Sequence, residues 1–233
     1  MAVKLGINYE LYNIDKDKTI IFLHGWGSNK EVMKVFKDEF NEYKLLFIDL
    51  PGFGKSQTNE IWTTQKYDNK IDEFLKELNI EKFCIVGHSF GGKVATLLNP
   101  KYLVLLSSAG IIQEKSLKTK LKIKLFKLLK PFGGNKIRKL FISNDAKEMS
   151  ENMYQTFKNV VDEDFSDNFK NYKGKALVFG GDKDTAVTPK SNEKISNILK
   201  SKFIMLNGNH YFFIDNNNLK TISTYIKNLL IGE

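Results

Sequence analysis

A serine set among glycines is the first candidate for chemistry in this sequence. Residues 87–92 read Gly-His-Ser-Phe-Gly-Gly, directly after the apolar run 83–86 and directly before the apolar helical stretch 93–98. A residue on a sharp strand-to-helix turn needs small neighbours, because the backbone is strained and other elements approach closely. The spacing therefore predicts that Ser89 is a nucleophile presented at the carboxyl edge of a sheet.

A serine hydroxyl is a weak nucleophile and needs an adjacent base that a third group orients. The chain has three histidines. His88 precedes the serine and is expected to point away from it, and His24 lies in an earlier turn that it is expected to pin. His210 follows the run 203–206, the last predicted core strand, at the same sheet edge as Ser89. We therefore predict His210 as the base.

The acid that orients this base should follow another strand at the same edge. Residues 180–184 read Gly-Gly-Asp-Lys-Asp and come after the predicted strand 176–179. Asp184 stands far enough out on the loop to reach back towards His210. Asp182 competes for the role, although its position suits capping of the turn through backbone hydrogen bonds. We favour Asp184 and keep Asp182 as the alternative.

An acyl transfer at Ser89 would also need donors for a tetrahedral oxyanion, each worth about 3 kcal/mol of the barrier. The Phe90 amide, directly after the nucleophile, is one candidate. The second is the Trp26 amide in the loop after the predicted strand 19–23, where Gly25 allows a sharp turn. This chemistry requires no metal and no cofactor, and we expect none.

The elements that would position these residues follow from the hydrophobic pattern. Helical periodicity over residues 67–78 and 219–229 alternates with short apolar runs typical of buried strands, at 19–23, 45–48, 83–86, 102–106, 176–179 and 203–206. Such alternation predicts an α/β fold with a mostly parallel central sheet and helices on both faces. Residues 3–11 alternate apolar and polar side chains, which indicates an antiparallel edge strand.

Residues 111–172 interrupt this alternation, with helical periodicity and no evident core strand. We predict a helical cap inserted between two parts of an α/β core, residues 1–110 and 173–233. Leu117, Leu121 and Leu125 recur at helical spacing. This stripe is expected to pack over an apolar cavity, and binding to a membrane surface is the alternative.

The cap region also carries the charge of the chain. The net charge is +9, and residues 111–140 hold ten basic residues and one acidic residue, which leaves 26 of each sign elsewhere. Such a field attracts anionic partners. Lys118, Lys122 and Arg138 are candidate contacts for a substrate or partner, and the alternative is a solvated helix face.

Composition and local patterns argue against other classes of protein. Cys84 lies in an apolar run and is the single cysteine, so a buried thiol is expected. No apolar run reaches the roughly 18 residues of a membrane span, and the first residues lack a secretory signal, so a cytoplasmic protein is expected. Residues 49–56 end in Gly-Lys-Ser, but Asp49 stands where a phosphate-binding loop has its first glycine. We therefore predict a tight turn there, and no nucleotide or nucleic-acid partner.

Five segments together resemble the α/β-hydrolase fold family in their order and spacing: residues 24–27 (His-Gly-Trp-Gly), 49–56 (Asp-Leu-Pro-Gly-Phe-Gly-Lys-Ser), 87–92, 181–184 and 208–210. The resemblance implies a triad of Ser89, Asp184 and His210 in the chain order of that fold. It also implies an oxyanion hole from the Trp26 and Phe90 amides, and a helical cap.

Within that family, residues 24–27 and the compact basic cap are similar to the pimeloyl-acyl-carrier-protein methyl ester esterases. This similarity implies that the cap docks an acidic carrier protein. The expected function is that of a carboxylesterase that forms an acyl-enzyme on a small-molecule ester or a carrier-linked ester. Thioester hydrolysis, carbon–carbon bond hydrolysis and a non-catalytic binding module remain alternatives on the same fold.

Overall fold

The central feature of the computed structural model, which describes residues 2–112 and 149–232, is a sheet of eight strands. The strand order is β1-β2-β4-β3-β5-β6-β7-β8, and the strands from β3 to β8 are all parallel. The strands are β1 (Ala2–Lys4), β2 (Ile7–Tyr12), β3 (Thr19–Leu23), β4 (Lys44–Ile48), β5 (Cys84–His88), β6 (Tyr102–Leu106), β7 (Lys175–Gly181) and β8 (Lys202–Leu206).

The six predicted core strands are confirmed, with ends that differ from the expected ones by two residues or fewer. Every residue of β3, β5 and β6 is buried, because helices cover both faces of the sheet. Parallel strands end at the same edge, so the segments after β3, β5, β7 and β8 meet there. This edge is the one on which the predicted chemistry depends.

The expected single edge strand at residues 3–11 was wrong in detail. The segment forms a hairpin in which β1 pairs with β2, and β2 pairs antiparallel with β4. Leu5 and Gly6 have φ of 52° and 78°, and two successive residues with positive φ reverse the chain in a tight hairpin turn. The alternating pattern predicted strand residues correctly and missed the turn inside them.

The helices pack in two layers, one on each face of the sheet. They are α1 (Lys30–Met33), α2 (Thr64–Glu77), α3 (Phe90–Leu97), α4 (Glu151–Val160), α5 (Ser166–Asn171), α6 (Pro189–Leu199) and α7 (Asn216–Ile231). Side chains of α2, α3 and α6 share one buried core, and those of α1 and α7 share the other. The predicted helical faces are confirmed, since Tyr67, Ile71 and Phe74 of α2 and Ile222 and Ile226 of α7 are fully buried.

The predicted cap is only partly within the described residues. Residues 113–148 lie outside them, and with them Lys118, Lys122 and Arg138. Residues 149–172 include α4 and α5. No helix in residues 2–112 or 149–232 is long and apolar enough to cross a membrane.

Helix α4 lies over the loops at the carboxyl edge of the sheet. A Cβ atom added at Gly52 would lie 2.5 Å from the Sδ atom of Met153, and the Phe157 ring lies 5.3 Å from the Trp26 ring, centroid to centroid. The Trp62 amide also donates a hydrogen bond of 2.9 Å to Thr156 Oγ1. The part of the predicted cap that is described therefore contacts the loops that follow β3 and β4.

Candidate active site

Ser89 occupies a strained turn between β5 and α3. Its φ of 51° and ψ of −115° are unusual for a residue with a side chain, and such strain persists only where surrounding contacts hold it. The Ser89 amide donates to Leu106 O at 3.0 Å, and Ser89 O accepts from the amides of Gly92 and Ala109 at 3.0 and 3.1 Å. These bonds hold the turn, and the serine side chain is left partly exposed.

The glycines on both sides of Ser89 are required by close backbone contacts. A Cβ atom at Gly91 would lie 2.5 Å from both Leu23 O and His24 O. One at Gly87 would lie 2.6 Å from Gly91 O. The start of α3 therefore packs directly on the end of β3, which is the packing reason that the sequence pattern anticipated.

Asp184 and His210 are in direct polar contact at this edge. His210 Nδ1 lies 2.8 Å from Asp184 Oδ2. The other carboxylate oxygen, Oδ1, accepts hydrogen bonds from the Ala186 amide at 2.8 Å and the Val187 amide at 2.9 Å. Because a carboxylate only accepts, Nδ1 carries the hydrogen and Nε2 of His210 is left free to act as a base.

The side chain of Asp184 is completely buried. Burial is the largest single influence on its pKa and raises it, but the lowering influences, led by the hydrogen bonds from His210 and the Val187 amide, outweigh burial in sum. The pKa of Asp184 therefore lies below its ordinary value. Asp184 stays ionised at neutral pH and can stabilise a positive charge on His210.

Asp182, the competing acid, is used differently. Its Oδ1 atom accepts a hydrogen bond of 2.8 Å from the Gly208 amide. It thereby joins the loop after β7 to the loop after β8, in the turn-capping role considered from the sequence. The structure thus brings Asp184, and not Asp182, to the His210 ring.

Ser89 lies beside this pair without a direct hydrogen bond to it. In the described part of the chain no bond joins the Ser89 hydroxyl to His210. The two are linked through His88, whose ring centroid is 4.6 Å from that of His210. Catalytic hydrogen bonds are often long in enzymes without substrate, so this geometry is compatible with proton transfer once a substrate is bound.

The loop after β3 lies against the serine. A Cβ atom at Gly25 would be 3.1 Å from Ser89 Cβ, and the rings of Trp26 and Phe90 are 5.6 Å apart. The backbone of Gly25 is therefore close to the Ser89 side chain. The Trp26 amide, predicted as the second oxyanion donor, belongs to the residue directly after Gly25.

His24 holds that loop. Its Nε2 atom accepts the Leu50 amide at 3.0 Å, so the hydrogen is on Nδ1, which donates to Gly25 O at 2.8 Å. Complete burial, the largest effect, lowers the pKa of His24 to about 4. His24 is thus a neutral structural residue rather than a proton carrier.

Residues 49–56 form a tight turn, as predicted, and the turn packs around the carboxylate of Asp49. Asp49 accepts hydrogen bonds from the amides of Lys30 at 2.8 Å and Lys55 at 3.0 Å. A Cβ atom at Gly54 would lie 2.4 Å from Asp49 Cγ. Within the loop, the Lys55 amide is thus bonded to Asp49, and the amides of Gly52, Phe53 and Ser56 donate to backbone carbonyl groups rather than facing an anion.

Sequence reasoning missed a buried lysine on α3. Lys93, one turn after Ser89, donates to Glu163 at 2.6 Å and to Val160 O, so it ties α3 to the segment after α4. Burial is the main reason that the pKa of Lys93 lies below its ordinary value. The signal in the sequence that could have indicated a buried lysine was its position at the start of the mostly apolar stretch 93–98.

Two smaller expectations concern Cys84 and metals. The Cys84 thiol is fully buried, as predicted, and burial raises its pKa. Among the residues that the structure describes, no three His, Cys, Asp or Glu side chains are grouped closely enough to hold a metal ion.

Comparison with known proteins agrees with this architecture. Residues 18–109 match the family model described as the alpha/beta hydrolase fold. An esterase from Exiguobacterium antarcticum superimposes with a TM-score of 0.71, over 96% of this chain and 95% of that one, at 20% identity. This chain has the α/β-hydrolase fold.

Two curated relatives that match part of this chain carry the names of two different enzymes. The pimeloyl-[acyl-carrier protein] methyl ester esterase of Shewanella woodyi is 32% identical over 98 residues, which cover 42% of this chain and 36% of that protein. The 2-succinyl-6-hydroxy-2,4-cyclohexadiene-1-carboxylate synthase of Klebsiella pneumoniae is 30% identical over 76 residues, which cover 33% of this chain and 30% of that protein. The chain matches less than half the length of these relatives.

Proposed function

We propose that this α/β-hydrolase-fold chain is a serine hydrolase that cleaves carboxylic esters. Ser89 is the nucleophile, His210 the base and Asp184 the acid that orients it. The observation that carries the proposal is the hydrogen bond of 2.8 Å between His210 Nδ1 and the buried Asp184 carboxylate, beside a serine with φ of 51°.

The reaction follows from this arrangement. Ser89 Oγ attacks the ester carbonyl carbon while Nε2 of His210 accepts the hydroxyl proton. The oxyanion accepts hydrogen bonds from the Trp26 and Phe90 amides. The protonated imidazole then gives its proton to the leaving alcohol, an acyl-enzyme remains, and water activated by His210 hydrolyses it.

The decisive experiment compares Ser89→Ala with a matched serine variant. Ser223→Ala is a suitable control, because the buried Ser223 hydroxyl has no partner among the described residues. We expect Ser89→Ala to abolish hydrolysis of a short p-nitrophenyl ester and labelling by a fluorophosphonate, and Ser223→Ala to keep both. Undiminished turnover in Ser89→Ala would contradict the proposal.

The same labelling experiment separates an enzyme from a binding module. A non-catalytic scaffold would fail to react with the fluorophosphonate even as wild type. Reaction of the wild-type chain with one equivalent of probe, lost in Ser89→Ala, supports catalysis.

For the substrate, we propose an ester carried by an acidic acyl carrier protein, with residues 111–172 forming a cap. The ten basic residues between 111 and 140, and the relative named as a carrier-protein esterase, support this proposal. Carrier-linked methyl ester should be cleaved faster than the free acyl methyl ester. Reversing the charges of Lys118, Lys122 and Arg138 together should remove that preference, and equal rates in the wild type would contradict carrier docking.

A panel of related substrates tests the alternative reactions. Thioesters and carbon–carbon cleavage substrates of the same fold should be turned over more slowly than esters with equal acyl groups. A higher kcat/KM on either class would assign the reaction to that class instead.

A further inference from the structure

His88 is a buried titratable residue that the proposed reaction does not use. It ends β5, directly before Ser89, and its ring is completely buried. Three aromatic rings pack against it at centroid distances of 4.6 Å (His210), 5.0 Å (Tyr211) and 4.9 Å (Phe213). All three belong to the segment after β8, so the residue before the nucleophile contacts the segment that carries the base.

A single hydrogen bond settles how the His88 ring is protonated. Its Nε2 atom lies 3.0 Å from the backbone carbonyl oxygen of His210. A carbonyl only accepts, so Nε2 must carry the hydrogen. Its Nδ1 atom is buried and has no partner among the described residues. Burial, with a smaller effect from His210, lowers the pKa of His88 to about 3, so the ring is neutral over the range in which an esterase works.

The other side of the ring faces the loop after β3. A Cβ atom at Gly25 would lie 2.9 Å from His88 Nδ1 and 3.1 Å from Ser89 Cβ. This contact explains the glycine at position 25, because any side chain would push the loop away from the serine. His88 therefore touches the turn of Ser89, the loop of the Trp26 amide and the loop of His210.

The hydrogen bond from His88 acts on a part of His210 that Asp184 does not reach. Asp184 restrains one edge of the His210 ring, through Nδ1. Bonds such as the one from the Gly208 amide to Asp182 hold the residues around His210, and the bond from His88 adds an anchor at the carbonyl group of His210 itself. His210 is therefore held at its carbonyl by His88 and at its ring by Asp184, which together restrict the position of Nε2.

We propose that His88 is a positioning residue, whose Nε2–H group anchors the His210 carbonyl and thereby keeps the His210 imidazole in place to act on Ser89. The inference rests on the proposed serine hydrolase function. It gives a role to a histidine for which the sequence predicted only that its side chain points away from the serine.

Two substitutions of this residue separate positioning from packing. His88→Leu introduces an apolar side chain of similar volume that lacks the Nε2–H donor. His88→Gln places an amide N–H group near the position of Nε2. Because small displacements of a catalytic group can cost up to about 100-fold in rate, we expect His88→Leu to lower kcat about 10- to 100-fold with little change in KM. His88→Gln should recover most of this loss, although both variants lose the aromatic contacts.

The outcomes distinguish this inference from the proposed function. If wild-type protein neither turns over esters nor reacts with fluorophosphonate, the proposed function fails. If the wild type is active and His88→Leu keeps its kcat, or His88→Gln is as slow as His88→Leu, the positioning role fails.

A measurement on the unaltered protein covers the case in which neither variant folds. Long-range ¹H–¹⁵N spectra of the histidine rings should show His88 as the neutral Nε2–H tautomer throughout pH 5 to 8. The Nδ1–H tautomer, or a ring that becomes charged in that range, would overturn the inference.

Discussion

Replacing Asp184 by asparagine tests the central geometry of the site. Oδ1 of Asp184 accepts two backbone amides, from Ala186 and Val187, and Oδ2 accepts from His210. In Asp184→Asn the amide oxygen must stay with the two backbone donors, so the NH₂ group faces His210. Nδ1 then has to accept a hydrogen bond, and the ring is held in the Nε2–H tautomer, which cannot take a proton from Ser89.

This wrong tautomer predicts a large effect. The same carboxylate-to-amide change in a Ser-His-Asp enzyme lowers kcat about 10⁴-fold, or about 5.4 kcal/mol in the activation free energy. We expect a similar fall here in the hydrolysis of a p-nitrophenyl ester. KM should change little, because Asp184 is buried behind the His210 ring. The matched control is Asp182→Asn, which alters a carboxylate bonded to the Gly208 amide and should cost less than about tenfold.

The tautomer itself can be observed. Ring ¹⁵N shifts of His210 should change from the Nδ1–H form in the wild type to the Nε2–H form in Asp184→Asn. An Asp184→Asn protein that keeps a tenth of wild-type kcat, or an Asp182→Asn protein that falls as far, would refute the reasoning about which aspartate orients the base.

Three further predictions concern the framework of the site. Gly91→Ala places a Cβ atom 2.5 Å from Leu23 O, so the unfolding free energy in urea should fall by about 1–3 kcal/mol, and an unchanged midpoint would contradict the close packing of α3 on β3. His24 has a pKa of about 4 when folded against about 6.5 unfolded, so its contribution to stability is complete above pH 6.5 and is lost as the pH falls towards 4, at up to about 1.4 kcal/mol per pH unit. Urea titrations between pH 7.5 and 4.5 should therefore show a flatter dependence for His24→Gln than for the wild type, and equal slopes would speak against a buried neutral ring. Lys93→Met leaves Glu163 without its cation, and since the Glu163 side chain is 29% exposed, water limits the cost to roughly 1–3 kcal/mol. The double variant Lys93→Met with Glu163→Gln should then lose less unfolding free energy than the sum of the losses in the two single variants. A loss equal to that sum would mean that the pair does not interact.

The positions of the core strands along the chain, and the candidate residues that follow them, could be predicted from local sequence. A run such as residues 102–106 is apolar throughout because both faces of the strand are covered, and the glycines around Ser89 are there because neighbouring backbone leaves no room for a side chain. Both constraints act on the residue type at a local position, even where the backbone that a glycine avoids, such as Leu23 O and His24 O for Gly91, is distant in sequence. They leave a periodic pattern that a single sequence displays.

Tertiary structure decided the contacts between distant segments. Asp182 and Asp184 are two residues apart in the same loop, and only the path of the chain after β8 shows that one bonds to the Gly208 amide and the other to His210. The Leu5–Gly6 turn, which splits the expected edge strand, was also visible only in the structure. Its two positive φ angles leave little trace in a pattern of alternating apolar and polar residues.

Candidate serine, histidine and aspartate residues could thus be proposed from the sequence by type and spacing, and the strands that precede them could be predicted. The contacts of His88 and Lys93 could not. They depend on hydrogen bonds to distant residues, 122 positions away for His88 and 67 and 70 positions away for Lys93, and such bonds are set by how loops and helices pack rather than by any local pattern.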